Sequence, residues 1–244
     1  MKARPPRPAR AASARRSEPD DRDALVLRRS PARPQAAVLL LHGGRADGLE
    51  TPPALNLPAL RMRPFATALL RATRSSPVLV GRVRYRRRGW NGERQDTVRD
   101  ARRALAELRR LAGPVPVVLV GHSMGGRAAL RLGGLDEVRA VVALAPWCPE
   151  GEPVAHLAGR RVTVLHDESD RVTRAAGSWD LVHRAQEAGA RTAAVPMPRG
   201  GHTMLRDARR WHRLATGAVL DALGMAPQDA KRTGTGSLPL GSAG

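Results

Sequence analysis

One stretch restricts the fold more than any other: residues 115–130, reading Val-Pro-Val-Val-Leu-Val-Gly-His-Ser-Met-Gly-Gly-Arg-Ala-Ala-Leu. The apolar β-branched run Val117–Val120 stops at Gly121, and a small-residue helical pattern begins directly after Ser123. This pattern predicts a buried strand, a sharp turn and a helix, with one serine held on the turn. Gly121 and Gly125 flank that serine because such a turn brings backbone and helix too close for a Cβ. The Met124 N–H then falls at a helix start, where unpartnered donors and the helix dipole favour a developing oxyanion.

The rest of the chain supplies the sheet that this turn needs. Ala36–Leu41 is a continuous apolar run of the kind found in parallel strands buried on both faces, and it ends at His42-Gly43-Gly44. Further strands are expected at 77–83, 138–144, 162–165 and 191–195. Between them, helices are expected from Pro64 to about Ala72, over 93–111, after Ser123 to about Leu132, over 175–188 and over 203–223. In the 93–111 helix, Val98, Ala101, Leu105 and Leu108 recur at three- and four-residue spacing. In the last, Leu205, Trp211, Leu214, Ala218 and Leu223 are the residues available for burial. Alternating strands and helices give an α/β fold, a mostly parallel sheet covered on both faces. Only a short connection separates Trp147 from Val162, too little for a large cap domain.

The domain is expected to occupy residues 35–225. Residues 1–34, rich in Arg, Pro and Ala, read as a disordered arm in which Ala24–Leu27 has the makings of a short edge strand. Residues 226–244, rich in Gly, Ser and Thr, read as a flexible tail. Loops 45–63, 84–92 and 147–161 are expected to shape a pocket, with His42, Trp90 and Trp147 as candidate lining residues.

Composition narrows the classes of partner. The formal charge is +20, yet Lys2 and Lys231 are the only lysines; the remaining positive charge is arginine, in a chain also heavy in Ala, Gly and Pro. These four residue types share GC-rich codons, so genome composition accounts for much of the excess, which is spread along the chain. No nucleic-acid motif accompanies it, and Phe65, Tyr85, Trp90, Trp147, Trp179 and Trp211 form no evident stacking platform. No specific nucleic-acid partner is therefore expected, only weak attraction to polyanions. No apolar run reaches membrane-spanning length and no apolar segment follows the basic N-terminus, so a cytoplasmic location is the default expectation. Cys148 is the sole cysteine, which excludes an internal disulfide and offers no cysteine cluster for a metal.

A serine hydroxyl is a poor nucleophile at neutral pH, so Ser123 needs a base, and that base needs an orienting acid. Asp170 follows one expected strand and His202 follows the last; Asp167 and Glu168 compete with Asp170 for the acid's role. His42 and His122 read as supports of their turns, and His156, His166, His183 and His212 as surface or packing residues.

Leu-Leu-Leu-His-Gly-Gly at 39–44, Gly-His-Ser-Met-Gly-Gly at 121–126, the Asp170 turn and Gly-Gly-His at 200–202 occur together in this order. In these pieces the chain resembles the α/β-hydrolase family over residues 36–223. The resemblance implies a Ser123–His202–Asp170 triad and an oxyanion hole built from the backbone N–H groups of Gly44 and Met124. It also implies cofactor- and metal-independent cleavage of a small-molecule ester or thioester through an acyl-enzyme. Acyl transfer, peptide cleavage, perhydrolysis and a non-catalytic binding protein remain the alternatives; the oligomeric state is unassigned.

Overall fold

A computed structural model describes residues 22–225. Seven strands form one sheet in the order β1-β3-β2-β4-β5-β6-β7. They are β1 (Leu25–Arg29), β2 (Ala36–Leu41), β3 (Val78–Val83), β4 (Val117–His122), β5 (Val138–Leu144), β6 (Arg161–Asp167) and β7 (Arg191–Met197). All neighbouring pairs are parallel except β1 with β3. The helices are α1 (Leu57–Arg61), α2 (Arg63–Ala72), α3 (Asp96–Ala112), α4 (Met124–Leu132), α5 (Ala175–Glu187) and α6 (Ala208–Ala222).

The two-residue period of the strands divides the core into two layers. Ala37, Leu39 and Leu41 of β2 face α3, α4 and α5 through Leu105, Leu130 and Leu181. Ala36, Val38 and Leu40 face α2 and α6 through Phe65, Leu69, Trp211 and Val219. Every residue of β2 and β4 is buried, which is why these strands read as unbroken apolar runs. Each fully buried Val or Leu side chain contributes roughly 1.5–3 kcal/mol relative to exposure. Register pairs Leu41 with Gly121, so the ends of β2 and β4 bring the His42-Gly43-Gly44 turn beside Ser123.

Strand β1 overlaps the short edge strand expected at Ala24–Leu27 and pairs antiparallel with β3, so the sheet extends ahead of residue 35. Glu107 on α3 anchors it: its carboxylate accepts the N–H groups of Ala24 (3.0 Å) and Leu25 (2.7 Å). The remainder of the expected arm, and the expected tail from 226, lie outside the described residues. The last helix is shorter than expected. Met204 and Asp207 adopt left-handed φ values of 58° and 57°, so α6 starts at Ala208, and Leu205 is 71% exposed rather than buried. Between β5 and β6 lies a single 3-10 turn, Ala155–Leu157, and no cap domain.

Candidate active site

Ser123 holds φ 55° and ψ −120°, a conformation that non-glycine residues rarely adopt. A serine preceding a helix ordinarily turns its hydroxyl back to cap it. Here Ser123 makes no such cap; its hydroxyl lies 2.9 Å from His202 Nε2 instead. Its carbonyl accepts the N–H of Arg127 (3.1 Å) and of Trp147 (3.2 Å), tying the turn to α4 and to the segment after β5. The flanking glycines are sterically required. A Cβ on Gly121 would stand 2.3 Å from the Gly125 carbonyl oxygen, and one on Gly125 would stand 2.4 Å from that of Leu41.

His202 sits in a 3-10 turn, Gly201–Thr203, after β7. Its Nδ1 lies 2.9 Å from Asp170 Oδ2, and Ser123 Oγ lies on the other side of the ring. Nδ1–H donating to the carboxylate leaves Nε2 with its lone pair directed at the serine hydroxyl, the tautomer a general base requires. Asp170 is held by backbone donors: Oδ1 accepts Val172 N–H (2.8 Å) and Thr173 N–H (3.1 Å). Burial pushes its pKa up, but the hydrogen bonds from His202, Val172 and Thr173 outweigh it and leave the pKa below the usual carboxylate value.

The three neighbouring carboxylates divide cleanly. Asp167 Oδ1 accepts both the N–H (2.8 Å) and the hydroxyl (2.7 Å) of Ser169, while Oδ2 accepts Gly201 N–H (2.6 Å). It therefore braces the loop that presents His202 and does not touch the ring's Nδ1. Burial alone would raise its pKa, and these hydrogen bonds bring it below the ordinary value. Glu168 is exposed.

Two groups beside this relay carried no signal in the sequence. His166, expected as a surface or packing residue, is fully buried. Its Nε2 lies 3.0 Å from the Thr173 carbonyl and 3.3 Å from Asp170 Oδ2, and its Nδ1 lies 2.7 Å from Ser178 Oγ. Thr173 Oγ1 lies 3.0 Å from both Asp170 Oδ2 and His202 Nδ1. The Asp-Glu-Ser-Asp turn after β6 marks this region in the sequence, but only folding brings α5's Ser178 against it.

The other candidates take distinct places. His122 Nε2–H donates to the His202 carbonyl (2.9 Å), so it supports the histidine loop as well as its own turn. Burial, reinforced by the charge of His202, lowers its pKa to about 3. His42 Nδ1–H donates to the Gly43 carbonyl (2.7 Å), and burial lowers its pKa to about 4. A Cβ on Gly44 would stand 2.3 Å from Met124 Cε, so the two expected oxyanion residues are in contact. Trp90 and Trp147 do come together, but around Arg127, whose guanidinium lies 4.0 and 4.5 Å from their rings. Glu152, also buried, accepts Arg127 Nε (2.8 Å) and pairs with Arg131. The two indoles thus wall a buried cation, and with it they line one pocket. The thiol of Cys148 is pushed up to about 12 by burial, unsuited to nucleophilic attack. Among the described residues no group of three or more His, Cys, Asp or Glu is placed to hold a metal ion, and no helix is long and apolar enough to cross a membrane.

A model of the alpha/beta hydrolase family matches residues 38–230. No curated protein matches the chain. Solved structures share its fold. A Xanthomonas campestris a/b serine hydrolase without a lid has a TM-score of 0.59 at 18% identity, covering 83% of this chain and 89% of that one. Est1E from Butyrivibrio proteoclasticus with ferulic acid bound has a TM-score of 0.59 at 11% identity, covering 82% and 95%. A Lactococcus lactis sugar hydrolase has a TM-score of 0.64 at 14% identity, covering 82% and 94%.

Proposed function

The chain belongs to the alpha/beta hydrolase family, and from that membership we propose that it is a serine hydrolase cleaving a small-molecule carboxylic ester or thioester through an acyl-enzyme. The observation that carries the reading is the relay Ser123–His202–Asp170, with 2.9 Å at each step, mounted on a strained turn at a helix start.

In this reading Ser123 Oγ attacks the carbonyl carbon as its proton passes to His202 Nε2. The imidazolium that forms is stabilised and held in orientation by Asp170, whose own proton count does not change. The Gly44 and Met124 N–H groups receive the negative charge that develops on the carbonyl oxygen. Collapse of the tetrahedral intermediate breaks the bond to the leaving alcohol or thiol, which takes the proton from His202. Water then attacks the acyl-serine by the same route in reverse, releasing the acid and restoring Ser123. Each backbone donor is worth roughly 10²–10³ in rate by comparison with other oxyanion holes. These steps need no metal or organic cofactor in this reading.

The test is fluorophosphonate labelling of the purified protein read by mass spectrometry, alongside Ser123→Ala and a panel of p-nitrophenyl esters. One adduct on Ser123, absent from Ser123→Ala, together with ester turnover supports the reading. A folded protein with neither adduct nor turnover sinks it and leaves a binding protein on a hydrolase fold.

A further inference from the structure

Next to the His42-Gly43-Gly44 turn lies a cavity of about 260 Å³ whose walls include five guanidinium-bearing side chains: Arg22 ahead of β1, Arg28 of β1, Arg82 and Arg84 of and after β3, and Arg63 of α2. No carboxylate among the described residues lines it. Elsewhere arginines meet acids, as in Arg86–Asp100, Arg94–Asp96, Arg127–Glu152 and Arg161–Asp221. Within the described residues, Arg28, Arg63 and Arg82 have no such partner. Arg84 donates to the Asp23 carbonyl (3.1 Å), a neutral group.

Genome composition explains many arginines but not their convergence on one hollow. Arg82 is the informative member. It is paired in register with Leu40 of β2, on the sheet face where Val78 and Val80 before it are buried apolar residues. A half-buried cation there, sharing one cavity with other guanidinium groups, is unfavourable unless an anion completes the site. Burial, then the charges of Arg84, Arg28 and Arg63, disfavours its protonated form.

The cavity reaches the turn beside Ser123, though Ser123 and His202 do not themselves line it. His42 lines it, and a Cβ on the next residue, Gly43, would stand 3.3 Å from Ser123 Cβ. At this volume the cavity takes part of a ligand rather than a whole one. We propose that this arginine-lined cavity is a subsite for a carboxylate or phosphate group carried by the substrate, so that the ester or thioester cleaved at Ser123 is an anionic one. Guanidinium groups bind both oxyanions through paired N–H donors, which a neutral acyl chain cannot satisfy. This inference rests on the hydrolase reading for its substrate, but not for its binding site.

The first arm is calorimetric titration of inorganic pyrophosphate into full-length Ser123→Ala, in which catalysis plays no part. Saturable binding that weakens roughly tenfold or more in Ser123→Ala with Arg82→Gln is expected. It should be unaltered by Arg110→Gln, which removes an equal charge from the exposed face of α3. The second arm uses the wild type: pyrophosphate should slow fluorophosphonate labelling of Ser123, and p-nitrophenyl hemisuccinate should show a lower KM than p-nitrophenyl butyrate. Absence of binding, equal loss in both arginine variants, or binding with no effect on Ser123 overturns the proposal. So does binding that emerges only when Glu18, Asp20 and Asp21 are neutralised, since the chain itself would then be the occupant. Failure of labelling without pyrophosphate would instead count against the hydrolase reading, and the calorimetric arm still decides whether the cavity binds anions.

Discussion

At the scale of single residues, each group around Ser123 has one task set by where its hydrogen bonds go. Ser123→Ala and His202→Ala are expected to lower ester turnover by roughly 10⁴-fold or more with the circular dichroism spectrum unchanged. Asp170→Asn should cost roughly 10⁴-fold in kcat, because an amide in place of the carboxylate favours the wrong imidazole tautomer. Asp167→Asn should act mainly on stability, since its hydrogen bonds go to Gly201 and Ser169. A larger kcat loss for Asp167→Asn than for Asp170→Asn would reverse the two roles. Protonation of His122 is opposed by burial, and its folded pKa of about 3 lies below the ordinary histidine value of 6.5. The unfolded chain therefore takes up the proton first, and stability falls as pH drops from about 6.5 towards 3. His122→Gln, which keeps an N–H for the His202 carbonyl, should flatten part of that slope. Thermal melts at pH 7 and pH 5 for the two proteins check it; equal slopes would show that His122 is not the group responsible.

Between residues and the whole chain, the elements decide how rigidly the serine is presented. The turn between β4 and α4 works because Gly121, Gly125 and the end of β2 are in near contact. Gly125→Ala should destabilise the fold by on the order of 3 kcal/mol, seen as a lower melting temperature with loss of Ser123 labelling. Gly→Ala tolerated there without change would mean that the turn relaxes freely. Strand β1 is held differently, through the carboxylate of Glu107 and its pairing with β3. Glu107→Ala should speed amide exchange at Ala24 and Leu25 while leaving β4 and β5 protected. Because β1 carries Arg28, the same variant should also weaken pyrophosphate binding.

For the molecule as a whole, a formal charge of +20 predicts loose association with any polyanion. Binding to duplex DNA should be sequence-independent and fall steeply between low and physiological salt. A sequence preference that survives at physiological salt would point to a recognition surface for which the chain shows no motif. Pyrophosphate at the Arg82 cavity should persist at salt concentrations that abolish DNA binding, because it is held by directed donors in a half-buried site.

The sequence by itself determined the α/β architecture, the strand–turn–helix around Ser123 and the positions of Asp170 and His202 at strand ends. Those features are local: periodicity, glycine spacing and strand boundaries are written in neighbouring residues. Tertiary structure decided what depends on distance in space. It separated Asp170 from Asp167 by giving one the imidazole and the other the Gly201 N–H. It decided between the surface and packing roles expected for His166 by setting it behind the acid, and it turned Trp90 and Trp147 onto Arg127. It also chose β3 as the partner of the edge strand β1 and gathered five arginines, far apart in the chain, around one cavity. Side-chain partners of this kind are chosen by which strand ends and helices meet, and residues far apart in the chain meet only when the sheet has closed its order.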